Sequence, residues 1–422
     1  MNTAAANFDV DFSRAGALGN AFLEELNHLR EMEPVHWSDA SGCWIITRHQ
    51  DVMDAFQDKY PLSLNRLPLI AFKDMPLEER AAKYPNLNHY LSNWIINLDP
   101  PSHTRLRKLL MQAFSKKVVE AQRPFVQRRV AELIAVLHEQ PEVEFNEEIA
   151  RKLPGSVILD MIGLSQDNLP RLKDWANAFV EGIGVPFVTP ELLQRVENAM
   201  AEINEVLMPE LEARKTSPRK DLLTALVQAT DAGDTMSVEE MLGALHVLIV
   251  AGHDSTANTL TLGLAALSRH PDAWQDMRDH PEKMLDSCLE LMRYMAMSAA
   301  QPRIVAEDFE WHGKQLRRGE VVFLMMAAGN RDPRQYANPE VLDLTRNNDE
   351  SLVFGPGVHH CIGHMLAKLQ ITEFFSALVK EFSGAEILDD HLKFMHQISF
   401  RGLSELNVRM IPRQGLSAQQ DM

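Results

Sequence analysis

Cysteine is scarce in this chain, and long hydrophobic runs are absent. The 422 residues include only three cysteines, Cys43, Cys288 and Cys361. Cysteines so few and so widely spaced exclude a disulfide framework of the kind that holds small secreted domains together, and they suit a reducing compartment. We interpret Cys43 and Cys288 as inert packing residues. Cys361 differs from them because glycines surround it.

No apolar run reaches the length of a membrane span, and the N-terminus lacks the basic and apolar regions of a signal peptide. We therefore expect a cytoplasmic protein. Basic side chains are also in deficit, since 42 lysines and arginines stand against 59 acidic residues, a formal net charge of −17. This balance argues against nucleic acid or an anionic membrane as a partner.

No linker, repeat or low-complexity tract divides the chain, and a hydrophobic content of 45 % is enough for a large core. We expect one domain over residues 1–422, with a disordered polar tail over residues 413–422. Apolar spacing predicts short strands near 34–37, 43–47, 309–312 and 320–325, and helices over 51–58 and, with breaks near Pro141, Gly163 and the loop 182–186, over 123–215.

The stretch from 354 to 363, Phe-Gly-Pro-Gly-Val-His-His-Cys-Ile-Gly, places Cys361 between a glycine-rich loop and a predicted helix. Its glycines remove side chains where the backbone must pass close to a flat or bulky group. If the helix starts at the cysteine, its free N–H groups and dipole lower the pKa of the thiol. The sequence therefore predicts a rigidly held thiolate.

Four interpretations of Cys361 are open at this point. A nucleophilic cysteine has His359 and His360 nearby. A zinc site has ligands in His360, Cys361 and His364. An iron-porphyrin has an axial thiolate ligand in Cys361, and the fourth interpretation is a buried cysteine without chemistry.

Three further segments carry polar side chains in suggestive positions. A helix over residues 102–114, capped by Ser102, places His103 and Arg107 one turn apart, which suits a carboxylate. A helix over residues 237–270, opened by a capping box of Ser237 and Glu240, carries Ala-Gly-His-Asp-Ser-Thr at its middle. The pair Glu290 and Arg293 is spaced by three residues, as helical ion pairs are.

The pattern Phe-x-x-Gly-x-His-x-Cys-x-Gly resembles the haem-binding signature of the cytochromes P450. The matching residues are Phe354, Gly357, His359, Cys361 and Gly363. The other segments resemble further marks of this family, in order, from about residue 35 to about residue 410. The resemblance implies a mainly α, single-domain fold with small β-sheets, a haem b cofactor, and a monooxygenase that uses O2.

The resemblance also implies roles for individual residues. Cys361 is expected to ligate the iron, while His103, Arg107 and Arg303 are expected to bind the haem propionates. Asp254 and Ser255, followed by Thr256, resemble the acid and alcohol of the oxygen-binding groove, which begins at Ala251; the commoner family pattern has threonine where Ser255 stands. Glu290, Arg293 and Arg346 are expected to form a structural network.

A hydrophobic organic substrate of moderate size is expected. The positions that resemble family substrate contacts are Leu248, Ala251, Gly252, Met297, Ser298, Ala299, Ser399 and Phe400. Met297 departs from the family, in which many members have proline.

Because no reductase module is attached, a separate ferredoxin or flavodoxin-type protein is expected to supply electrons. A basic patch for an acidic donor is expected at Arg105, Lys108, Lys116, Lys117 and Lys368. Two alternatives share the haem site. A peroxide-driven peroxygenase is one, although the fatty-acid branch of that type replaces the acid–alcohol pair, and a non-catalytic haem sensor is the other.

Overall fold

Helices make up most of the molecule, as the spacing of apolar side chains predicts. The computed structural model describes residues 8–65, 72, 75–183 and 189–413, with the side chains of 180–183 left out. The helices are α1 (Ala15–Leu18), α2 (Asn20–Met32), α3 (His49–Phe56), α4 (Leu77–Lys83), α5 (Pro85–Tyr90), α6 (Ser102–Ala113), α7 (Lys116–Ala121), α8 (Arg123–Glu139), α9 (Lys152–Ile162), α10 (Leu169–Ile183), α11 (Pro190–Thr216), α12 (Leu222–Gln228), α13 (Val238–Leu267), α14 (Pro271–Asp279), α15 (Met284–Met295), α16 (Met326–Gly329) and α17 (His364–Glu381).

Small sheets flank the helices. The strands are β1 (Val35–Ser38), β2 (Cys43–Ile46), β3 (Leu62–Ser63), β4 (Glu142–Glu144), β5 (Thr230–Asp231), β6 (Asp234–Thr235), β7 (Gln301–Val305), β8 (Phe309–Trp311), β9 (Lys314–Leu316), β10 (Val321–Leu324), β11 (Phe382–Ile387) and β12 (Asn407–Pro412). One sheet has the strand order β1-β2-β10-β7-β3, a second has β11-β12-β4, and β5-β6 and β8-β9 are hairpins.

Helix α13 runs through the centre of the main hydrophobic core. Its 30 residues span about 45 Å at 1.5 Å per residue, and most of its side chains are buried from every direction. The predicted capping box is present: the Glu240 N–H donates to Ser237 Oγ at 3.2 Å, and the Ser237 N–H donates to Glu240 Oε2 at 2.9 Å. A helix buried on all sides can present its middle to an internal site.

The mainly α, single-domain fold with small sheets is confirmed, and several local expectations need correction. Ser102 is the first residue of α6 and makes no capping hydrogen bond, because Pro101 takes the N-cap position. The helical stretch breaks near Pro141 as predicted, but the break holds a strand that was not predicted, β4, which pairs with the distant β12. The predicted loop 182–186 lies mostly, and the tail 413–422 almost wholly, outside the described residues. Within the described ranges, no helix combines the length and apolar character that a membrane crossing requires.

Candidate active site

The loop before α17 holds Cys361 by main-chain contacts. The Cys361 N–H donates to the Phe354 carbonyl oxygen at 2.9 Å, which closes the loop on itself. Gly357 has a φ of +81°, and a Cβ atom there would lie 1.9 Å from the Phe56 carbonyl oxygen. Only glycine fits such a position. The loop is therefore seated directly on the end of α3.

The environment of Cys361 favours the neutral thiol in the protein alone. Burial raises the pKa of the Cys361 thiol, although the Gly363 N–H and the charge of Arg107 act to lower it. The expectation of a lowered pKa was wrong, because α17 begins at His364 with Gly363 as its N-cap, and the sulfur is buried. Such a thiol becomes a thiolate when a bound metal cation displaces its proton.

The histidines beside Cys361 do not complete a zinc site. His364 Nδ1 lies 2.8 Å from the carbonyl oxygen of Cys361, so the ring contacts the backbone of the cysteine. Across the described ranges, no group of three or more histidine, cysteine or acidic side chains is placed to hold a metal ion. Among metal-containing ligands, Cys361 therefore suits one that needs a single donor atom from the protein.

A cavity of about 760 Å³, including its open mouth, adjoins Cys361. Helix α13 contributes Leu248, Ala251 and Gly252 to its lining, three of the positions that resemble family substrate contacts. The lining is otherwise apolar except for a few side chains, which are Ser255, Thr256, Cys361 and Gln370. Sequence reasoning missed other lining residues because they come from distant segments; among them are Ile95, Leu110, Ile158 and Leu222.

The middle of α13 brings a hydroxyl group to the cavity. Ser255 Oγ donates to the Ala251 carbonyl oxygen at 2.6 Å, the bond to the preceding turn that serine often makes in helices. A Cβ atom on Gly252 would lie 3.0 Å from Ile158 Cδ1, so glycine allows α9 to pack closely here. Ser255 and Thr256 line the same cavity as Cys361.

Asp254 is turned toward the neighbouring helices. Its Oδ1 lies 2.8 Å from His253 Nδ1 and 3.4 Å from Arg151 Nη1, and it does not occur among the described residues that line the cavity. Burial opposes ionisation of Asp254, but the contact with His253 and then the charge of Arg151 outweigh it and lower its pKa. Sequence reasoning missed Arg151, because nothing local marks a partner about a hundred residues away.

Comparison with known proteins decides the family. The family model described as Cytochrome P450 matches residues 71–401. The chain belongs to the cytochrome P450 family. Cytochrome P450 107B1 of Saccharopolyspora erythraea is 32 % identical over 404 residues, covering 93 % of this chain and 97 % of that protein. The 6-deoxyerythronolide B hydroxylase of the same organism is 29 % identical over 409 residues, covering 96 % and 97 %.

A solved structure supports the same assignment. The cytochrome P450 PksS of the bacillaene polyketide synthase of Bacillus subtilis 168 matches with a TM-score of 0.83 at 26 % identity, covering 94 % of this chain and 98 % of that chain. The protein is a cytochrome P450 monooxygenase, and this family uses a haem cofactor.

The residues around the Cys361 cavity fit the haem of a cytochrome P450. A Cβ atom on Gly363 would meet no atom within 4 Å, so this glycine leaves space at the cavity wall. Both ring nitrogens of His103 are buried and have no hydrogen-bond partner among the described residues, while the centres of the His103 and His359 rings lie 3.7 Å apart, with the rings tilted by 34°. An open wall beside a thiol and an unsatisfied buried donor is what a haem with anionic propionates would fill.

The two arginines expected near the propionates have protein contacts of their own. Arg107 Nη2 donates to the His360 carbonyl oxygen at 2.6 Å, and burial lowers the pKa of this guanidinium. Arg303 Nη1 donates to the Pro302 carbonyl oxygen at 2.9 Å, and its guanidinium lies over the ring of Phe56 at 5.1 Å. Arg107 therefore contacts the cysteine loop itself, and Arg303 contacts Phe56 at the end of α3, on which the loop is seated.

Five of the expected substrate contacts form a separate group. Ser298 and Phe400 form an isolated β-bridge, and the Ala299 N–H donates to the Ser399 carbonyl oxygen at 3.0 Å. Met297 and Ala299 are buried in hydrophobic clusters. The cavity lining, as far as the structure describes it, does not include these five residues. Met297, Ala299 and Phe400 pack against the protein core instead.

Glu290, Arg293 and Arg346 meet in the interior. Both guanidinium contacts of Arg293 to Glu290 are short, at 2.7 and 2.8 Å, and both side chains are fully buried. Arg346 Nε lies 3.2 Å from Glu290 Oε1, and the Asp343 N–H donates to the same oxygen at 3.1 Å. This network ties α15 to the segment before the cysteine loop.

Proposed function

We propose that this cytochrome P450 oxidises a hydrophobic organic molecule of moderate size within the Cys361 cavity. One observation carries the proposal: Cys361, Ser255 and Thr256 line the same cavity, whose remaining lining is almost entirely apolar. An apolar cavity with a few placed polar groups is typical of small-molecule sites. The similarity to 6-deoxyerythronolide B hydroxylase supports an organic substrate.

Haem b would be held in the proposed site by Cys361 through its iron and by His103, Arg107 and Arg303 through its propionates. Bound haem supplies the activation of O2 and the oxidising power, which a thiolate ligand promotes. The chain contributes proton-carrying groups, since the Ser255 and Thr256 hydroxyls can hold or pass a proton. Asp254 is a positioned acid one residue away, held by His253 and Arg151.

An acidic electron donor of the ferredoxin or flavodoxin type is proposed to dock beside the cysteine loop. Two of the five expected basic residues are already neutralised, because Arg105 pairs with Asp234 and Glu240, and Lys108 lies 3.5 Å from Asp231. The proposed contact surface therefore narrows to Lys116, Lys117 and Lys368, the last of which lies over the Phe354 ring at 5.4 Å.

The test begins with the absorption spectrum of the purified protein, resting and then reduced under carbon monoxide. We expect the long-wavelength carbonyl band of thiolate-ligated haem, lost in Cys361→Ala and kept in the matched variant Cys288→Ala. Apolar compounds that shift the spin state would then be turned over with NADPH, a ferredoxin and its reductase. Product formation that needs only hydrogen peroxide would favour a peroxygenase, and haem binding without any turnover would favour a sensor.

A further inference from the structure

A short segment of helical turns contributes to the wall of the cavity. This wall segment, residues 85–97, consists of α5 and two single 3-10 turns, Leu91–Asn93 and Ile95–Asn97. Ile95 lines the cavity. The segment also touches α13 closely, since a Cβ atom on Gly243 would lie 2.8 Å from the Asn93 carbonyl oxygen. Its position therefore helps to set the width of the cavity.

A buried carboxylate on α11 holds the start of the wall segment. Glu197, only 5 % exposed, accepts hydrogen bonds from the Asn86 N–H at 2.8 Å, from Asn86 Nδ2 at 2.7 Å and from the Leu87 N–H at 2.8 Å. The first N–H groups of a helix have no partner within it, so α5 depends on this side chain. Hydrogen bonds to a charged acceptor are among the stronger ones in proteins.

The hydrogen bonds continue from the wall segment to α13. Asn204 Nδ2 donates to Asn86 Oδ1 at 3.2 Å, and His246 Nε2 lies 2.8 Å from Asn204 Oδ1. Burial lowers the pKa of His246 to about 3, so the ring is neutral at ordinary pH and its Nε2–H is the donor. The ring of Tyr90, from the wall segment itself, meets His246 edge-on at 5.2 Å.

We propose that Glu197, Asn86, Asn204 and His246 form a polar clamp that positions the wall segment and limits the passage of bulky ligands into the cavity. The clamp joins three elements, α5, α11 and α13, in an otherwise apolar region. None of its four members occurs among the described residues that line the cavity, so they act through the position of the wall. The clamp sets which molecules enter and how fast.

The experiment measures ligand entry in the haem-loaded enzyme by stopped-flow absorbance. Glu197→Gln is compared with wild type and with the matched variant Glu205→Gln, an exposed glutamate about two turns further along α11. The probes are imidazole and the bulky azole clotrimazole. We expect Glu197→Gln to raise both association and dissociation rates of clotrimazole on the order of tenfold, which corresponds to the loss of one charged hydrogen bond. Imidazole rates should change less than about twofold.

A second variant keeps the proposal testable if Glu197→Gln yields no haem-loaded protein. Asn204→Ser breaks the link between α5 and α13 without disturbing the charged contact, and we expect the same selective acceleration of clotrimazole at a smaller size. The carbonyl spectrum reports an intact cysteine loop in each variant. Unchanged clotrimazole rates, or equal acceleration of imidazole and clotrimazole, would overturn the clamp, because equal acceleration indicates general loosening.

Discussion

Two glycines of the cysteine loop have opposite surroundings: an added Cβ atom would collide with the backbone at Gly357 but has open space at Gly363. We expect Gly357→Ala to lower the free energy of unfolding by more than about 2 kcal/mol, because an added Cβ atom meets the Phe56 carbonyl oxygen at 1.9 Å and φ is +81°. Gly363→Ala should change it by less than about 0.5 kcal/mol in the haem-free protein, because no atom lies within 4 Å. Chemical unfolding of both variants without haem measures the difference.

Gly363→Ala should weaken haem retention even though it hardly changes the free energy of unfolding. Gly363→Ala places a methyl group at the wall of the cavity, so we expect haem to transfer from this variant to apomyoglobin faster than from wild type. A Gly363→Ala protein that keeps haem as long as wild type would contradict the placement of the cofactor against this loop.

At the scale of residues, the sequence was informative where one short segment carries several groups. The spacing around Cys361 located the sulfur, the glycines and the neighbouring histidines together. The clamp residue Glu197 and the Asp254 partner Arg151 could not be predicted, because their contacts join segments far apart in the chain. The pKa of Cys361 was also mispredicted, because burial depends on the whole fold.

The buried network on α15 allows a prediction about how one element is anchored. We expect Glu290→Gln to lower the free energy of unfolding by about 3–5 kcal/mol, since Arg293 is left as a buried, uncompensated charge. Denaturant unfolding measures the loss, and the yield of haem-loaded protein should fall with it. The matched control is Glu282→Gln, whose side chain is 65 % exposed just before α15 and should leave both quantities unchanged. Equal stability of the two variants would argue against an anchoring role.

At the scale of elements, long periodic segments were predictable and short paired ones were not. Helix α13 follows from its capping box and unbroken apolar character. Strand β4 and the hairpin β5-β6 have two or three residues per strand, too few to show a period. β4 exists because it pairs with β12, with Asn407 opposite Glu144, and that partner lies beyond any local window.

The acid stability of the whole molecule should include a contribution from the contact between α2 and the segment after α16. Arg334 bonds both oxygens of Glu31, at 3.0 and 2.7 Å, and lowers its pKa from 4.5 to about 2. Because the folded-state pKa is the lower one, this stabilisation is present above pH 4.5 and is lost as the pH falls toward 2. The pair is exposed, so its size should be only a few tenths of a kcal/mol.

Urea unfolding of wild type and Glu31→Gln across the acid range measures this effect. We expect the difference between them to be largest near neutral pH and to shrink steadily below about pH 4.5. Glu24→Gln, which removes an exposed glutamate of the same helix, serves as the control for the loss of one acidic side chain. A Glu31→Gln difference that grows on acidification would contradict a lowered pKa of Glu31 in the folded protein.

The strand order around β2 determines when this sheet can be completed during translation. β2 lies between β1, its neighbour in the chain, and β10, which pairs with it in parallel through Trp44 and Val322. During translation, β1 and β2 leave the ribosome long before β10 exists. A strand with an unpaired edge is prone to wrong pairing. A nascent chain that stalls before residue 321 therefore carries an N-terminal hairpin whose edge is still open.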